Sequence, residues 1–345
     1  MFGRMMNNYY YGKSGKGDFR KEDLPQNRRQ LFLDTLKTRL SALCRINLMY
    51  MIIFLPAMLV MMFFFTNIIS DASNLLMMQE NDYASYVELM KESEQEVQIT
   101  EEHYNELKNS VNAGDLMNNS LFRMLVWLIP CLAITGPFTA GLSYVTRNWA
   151  RDEHAFIWTD FKDAVKENWK QSLILSVITS ILPLAAYVGW EFYGNLSAQN
   201  IIMIIPQVLV VLAVFIWAIS ITYMHPLTVT YTLKTKDIIR NGLLLGVARL
   251  PMSVGIRLLH CVPALIGAAL IWFWNPMIGM LILFAYYALI GFAVSRFITA
   301  SYTNAVFDRF INPRIEGAKV NQGLYTPDED EEDEEEETAE GDSNN

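Results

Sequence analysis

Cysteine is scarce in this chain of 345 residues: Cys44, Cys131 and Cys261 make an odd total of three, with no CxxC spacing. Neither a disulfide framework nor a zinc site is indicated, and the three read as small buried hydrophobes. Histidine is nearly as rare, with four in all, and none stands at a metal-ligand spacing such as HExxH. His103, His154 and His225 each read as isolated, and Asp152-Glu153-His154 reads as a polar turn. There is no paired Ser and His and no intramembrane Asp pair. Gly12-Lys-Ser-Gly-Lys-Gly17 lacks the order of a phosphate loop and a following strand. The chain is therefore expected to be no enzyme and to hold no cofactor or metal.

Charge is sparse too, at 18% of residues, against 52% hydrophobic content. That balance excludes an ordinary soluble domain and fits a polytopic membrane protein of all-α class. Roughly 20 apolar residues cross ~30 Å of hydrocarbon as a helix. About six stretches qualify, near 46–69, 121–145, 171–193, 200–223, 254–274 and 277–297. The first follows a long polar and basic start with no small-residue cleavage site after a short apolar core, so a cleaved signal peptide is not expected.

Lys and Arg are almost missing from alternate loops. Residues 1–45 hold ten of them, 146–170 five and 224–253 four, whereas the long loop after the first span has only Lys91 and Lys108. By the positive-inside rule both termini should face the cytoplasm. The net charge of −9 is misleading, because the acid gathers between Glu80 and Asp115 and in the tail from Asp328 to Asp342.

Three cytoplasmic segments have helical amphipathic spacing. Leu31, Leu36, Leu40 and Leu43 lie among basic residues in 28–45, and Ile157, Trp158, Phe161, Ala164, Val165 and Trp169 share one face of a second segment. Asp237 to Leu250 makes the third. Proline recurs in the odd spans as Leu55-Pro56-Ala57, Leu182-Pro183-Leu184 and Val262-Pro263-Ala264. The even spans end in Pro137-Phe-Thr-Ala-Gly-Leu-Ser-Tyr144, Pro226-Leu-Thr-Val-Thr-Tyr231 and Phe297-Ile-Thr-Ala-Ser-Tyr302. The expected architecture is three helical hairpins, each preceded by an amphipathic helix at the inner surface.

Three units follow from this division: a flexible segment 1–27, a membrane domain 28–312 and a disordered acidic tail 313–345. Within the membrane domain, residues 71–120 form an extracytoplasmic insertion, with Tyr83, Tyr86, Val87 and Met90 at helical spacing.

Gly136 and Pro137 interrupt the second span's apolar pattern. One reading makes them a packing kink, in which Gly136 lets a second backbone approach and Thr135 or Thr139 bonds a freed carbonyl. The other has the kinked helices line a polar cavity. Arg257 and His260, one turn apart on span five, are the ionisable pair inside a span. With Gly136, Pro137, Thr139 and Tyr144 they form the candidate ligand or lipid site, although Arg257 is placed to snorkel instead. Arg123 and Glu191 are candidates for a tie between spans two and three. Trp149, Trp158 and Trp169 beside Lys and Arg suit a membrane interface and need no nucleic acid.

The segment Gly136-Pro-Phe-Thr-Ala-Gly-Leu-Ser-Tyr-Val-Thr-Arg147, followed by Asp160-Phe-Lys-Asp-Ala-Val-Lys-Glu-Asn-Trp-Lys-Gln171, resembles the YesL-like family of bacterial integral membrane proteins. The likeness extends over about 28–312 and departs at the glycine-containing start, the insertion and the acidic tail. The resemblance implies a cytoplasmic-membrane protein of Gram-positive type, near carbohydrate-uptake systems and with an accessory or regulatory role in sugar import. That family is a domain of unknown function and supplies no catalytic residue to carry over. Membrane lipids and a transporter complex or other membrane protein are the expected partners; a small-solute transporter or channel is the competing reading.

Overall fold

The computed structural model describes residues 25–92, 99–110 and 113–325, and all their regular structure is helical. The acidic run Asp328 to Glu337 and the first 24 residues of the expected flexible start lie outside the described residues. The helices are α1 (Arg28–Glu80), α2 (Tyr83–Glu92), α3 (Glu101–Ser110), α4 (Ala113–Trp149), α5 (Thr159–Ser197) and α6 (Ile204–Thr230). After these come α7 (Thr235–Ala248), α8 (Leu250–Phe273), α9 (Pro276–Tyr286), a π turn (Tyr287–Gly291) and α10 (Phe292–Phe310).

Among the described residues, six helical segments are long and apolar enough to cross a membrane: Arg28–Glu80, Gly114–Trp149, Thr159–Ser197, Ile201–Thr230, Leu250–Phe273 and Pro276–Arg314. This is a multi-pass membrane protein. The most apolar window of Ile201–Thr230 is 0% buried within the chain and that of Leu250–Phe273 only 6%. Apolar surface on that scale, including Phe63, Trp190, Leu209, Trp272 and Leu281, is stable only against hydrocarbon.

Local chemistry sets the helix ends. The Asn27 side chain accepts from Gln30 N–H at 2.9 Å to start α1, and Asn275 accepts from Met277 and Ile278 N–H at 3.0 Å to start α9. Pro251 sits in the first turn of α8, where a missing N–H costs nothing. That proline separates α7 from α8. No such break stands between residues 45 and 46 or 170 and 171, so two of the three expected amphipathic helices are the first turns of α1 and α5 themselves. At 53 residues, α1 is roughly 80 Å long.

The cores gather at the end of the bundle that carries both described chain ends and most of the basic residues, here called the basic end. One cluster joins Leu43, Ile46 and Tyr50 of α1 to Leu142, Val145 and Trp149 of α4, Phe161 of α5 and Phe297 of α10. A second joins Leu175 of α5 to Tyr223, Met224 and Leu227 of α6, Ile238 of α7 and Phe307 of α10. At the opposite end, Met78, Tyr86 and Tyr104 form a small cluster that holds α2 and α3 on the extended tip of α1. Tyr104 donates to the Met78 and Asn81 carbonyls, at 2.9 and 2.8 Å.

Three expectations are corrected. Cys44 and Cys131 are half-buried and Cys261 is exposed, because it sits on the outward face of α8 with Leu258, Leu259 and Val262. Residues 313–325, expected to belong to a free tail, are held at the basic end. Arg28 pairs with Asp308 and donates to Asn321 at 2.8 Å, Arg151 donates to Gln322 at 2.6 Å, and Tyr325 N–H reaches the Pro25 carbonyl at 3.1 Å. Finally, no ion pair joins Arg123 to Glu191 among the described residues. Glu191 instead lines a shallow hollow with Asn118, Phe122 and Tyr187.

Candidate functional site

α4 runs through Gly136 and Pro137 without interruption. A Cβ on Gly136 would stand 2.4 Å from the Ser172 carbonyl oxygen and 2.5 Å from Ser176 Cβ, so the backbones of α4 and α5 touch there. Five residues on, a Cβ on Gly141 would meet the Phe161 carbonyl at 2.8 Å. Close approach of this kind is what small residues permit between membrane helices.

Most hydroxyls around this contact have partners, the buried Ser172 Oγ being the exception. Thr135 and Ser176 both donate to the Leu132 carbonyl at 2.7 Å, and Thr139 donates to the Thr135 carbonyl at 2.9 Å. Pro137 removes the usual donor of a different carbonyl, that of Ala133, so the two threonines do not take the role expected of them. With its proton committed to Thr135, Thr139 can only accept from the Tyr50 hydroxyl, 2.7 Å away on α1. Ser143 and Thr146 bond back to their own helix at 2.7 Å. Tyr144 is half-buried against the first core cluster. Gly136, Pro137, Thr139 and Tyr144 thus belong to a packed seam between α1, α4 and α5.

Arg257 and His260 lie elsewhere, on α8 facing α10. His260 Nε2 stands 3.1 Å from the Ser295 carbonyl and 3.3 Å from Thr299 Oγ1. Sequence reasoning missed Arg296, which sits one residue after Ser295, because it lies near the end of a long apolar run. Arg257, Arg296, His260 and His225 are close enough for their charges to act on one another. His225, expected to stand alone, is therefore one of four basic side chains brought together from α6, α8 and α10.

His225 is only 5% exposed, and its Nδ1 has no hydrogen-bond partner. The same holds for Arg257 Nε and for Thr222 Oγ1, one turn before His225 on α6. The other two histidines singled out do not join. His103 sits 3.5 Å from the Glu106 carboxylate and His154 stacks edge-on against Phe156.

Toward the basic end, hydroxyls and amides knit the helices. Tyr223 OH contacts Ser253 Oγ at 2.7 Å and Tyr302 OH at 2.8 Å, joining α6, α8 and α10. Tyr231 donates to Asn312 Oδ1 at 2.6 Å, and Asn312 donates in turn to Asp308. Burial pushes the Tyr231 phenol up to about 12, against the pull of Arg147, so it stays a donor across the physiological range. In the turn after α4, Asp152 adopts a positive φ of 59° and burial raises its carboxyl, with Arg39 acting the other way.

Residues 116–190 match a family described as a protein of unknown function, DUF624. The matched segment holds most of α4 and α5, including the Gly136 contact, and ends before the basic cluster begins. Comparison with curated proteins and with solved structures gives no match.

Proposed function

We propose that this chain is a YesL-like protein of the bacterial cytoplasmic membrane, built as three helical hairpins with both termini in the cytosol. In this reading it works as a non-enzymatic accessory or regulatory component of carbohydrate uptake. The observation that carries the reading is the surface of the basic end. There Phe156, Trp158 and Trp169 are 64%, 65% and 47% exposed while their neighbours Phe161 and Ala164 are buried in the core. A segment anchored by one face and offering aromatic rings beside Lys162, Lys166 and Lys170 on the other suits docking to a membrane partner at the inner interface.

The test is purification from mild detergent with mass spectrometry of what comes along. A solute-transport complex should be recovered with the wild type and lost with Phe156→Ser/Trp158→Ser, without loss of expression. Solute uptake by the protein reconstituted alone would overturn the accessory role. It would instead establish the second reading, a small-solute transporter, which is favoured by the ionisable side chains of α8 and α10 inside apolar spans.

A further inference from the structure

Arg257 and Arg296 are half-buried in apolar spans, where a positive charge without a counter-charge is costly. In apolar spans such a group normally pairs with an acid, a carbonyl or water. Arg257 and Arg296 do none of the first two. Among the described residues no Asp or Glu pairs with either and no hydrogen bond runs from either guanidinium, the Arg257 Nε being buried without a partner.

The charges of both guanidiniums reach His225, which is 5% exposed and has an unpartnered Nδ1; one turn earlier on α6 the Thr222 hydroxyl is also buried and unpartnered. His260 completes the group, held by the Ser295 carbonyl. The set offers two guanidinium charges with no carboxylate among its members to balance them, and further groups able to donate. Arginine forks match the oxygens of a phosphate in geometry and charge.

Depth points the same way. Arg257 is about two turns from the basic end of α8, about 10 Å along its axis, and His225 is about 8 Å from the end of α6. That is the level of headgroups and upper acyl chains. Next to Arg257 on α8, Leu258, Leu259 and Val262 are exposed, a surface on which an acyl chain can lie.

We propose that Arg257 and Arg296, assisted by His225, Thr222 and His260, form a binding site for a phosphate-bearing anion, entered from the membrane by the headgroup of an anionic phospholipid. The site is independent of the accessory role. It would stand if no transport complex were ever recovered.

The test uses the full chain, purified and offered equal amounts of phosphatidylglycerol and phosphatidylcholine, with retained lipid counted by native mass spectrometry. Phosphatidylglycerol should be retained with a preference on the order of tenfold, falling to parity in Arg257→Gln/Arg296→Gln. Arg257→Lys/Arg296→Lys, which keeps charge but loses the fork, should fall between them. In a second arm, inorganic phosphate is added to delipidated protein in detergent. A rise in melting temperature without any lipid preference would keep the anion site and assign it a soluble source. Two results overturn the proposal: a wild type that neither prefers phosphatidylglycerol nor responds to phosphate, or a preference unchanged in the Gln pair. Should the Gln pair not fold, the wild-type arms and the Lys pair still decide.

Discussion

The side-chain amide of Asn47, on α1, grips the π turn ahead of Ala293 on both sides. Its Oδ1 accepts from Ala293 N–H at 2.9 Å, while its Nδ2 donates to the Tyr287 and Ala288 carbonyls at 2.9 and 2.8 Å. A π turn widens the helix and leaves backbone groups out of register, and in hydrocarbon no water takes them up. Asn47 is 0% exposed, so a single buried amide satisfies three such groups at once. Asn47→Leu should destabilise the protein by about 3 kcal/mol, the cost of orphaned backbone groups. Thermal unfolding in detergent measures it, and an unchanged midpoint would show that the π turn is satisfied by other means.

Gly136 offers a comparison within one protein. Even Gly136→Ala places a methyl group 2.4 Å from the Ser172 carbonyl, so α4 and α5 must part. A loss of about 2 kcal/mol is expected for Ala, with Gly136→Leu failing to assemble. Gly255→Ala, where nothing lies within 4 Å, should be neutral or slightly stabilising. Size-exclusion profiles after graded heating would rank the three, and equal behaviour of Gly136→Ala and Gly255→Ala would contradict the touching backbones.

Asp308 gathers three donors, from Arg28, Asn312 and the Asn321 backbone, and is 7% exposed. Asp308→Ala should free residues 315–325 and cost about 2 kcal/mol, since it strands donors that were paired. Faster tryptic cleavage at Lys319 than in the wild type is the expected sign. An identical digestion pattern would mean that this segment is held without the carboxylate.

Sidedness can be measured with single cysteines in a background lacking Cys44, Cys131 and Cys261. A cysteine at Asp160 should resist membrane-impermeant reagents in intact cells and react after permeabilisation, while one at Glu88 should react in both. The reverse pattern would turn the basic end outward and remove the proposed docking face from the cytosol.

Much of the fold is legible in the chain because its causes are local. Six apolar runs of spanning length and the helical pattern around Tyr86 follow from counting along one strand of residues. Helix continuity was harder to read. Composition separates the second amphipathic segment from the apolar run that starts near 171, yet nothing in those residues stops a helix, and α5 passes straight through. Composition groups 313–325 with the acidic run beyond it, whereas residues of that segment find partners on Arg28, Arg151 and Asp308.

What the sequence determined alone is the medium and the count: hydrocarbon demands helices that satisfy their own backbones, and length with hydropathy fixes how many. Which side chains meet was decided only by tertiary structure. Arg257, Arg296 and His225 are separated by dozens of residues, and their meeting depends on how α6, α8 and α10 are rotated about their axes. That rotation is set by contacts such as Tyr223 with Ser253 and Tyr302, and by the amide of Asn47 on a distant helix. Periodicity assigns a residue to a face; packing chooses what that face sees.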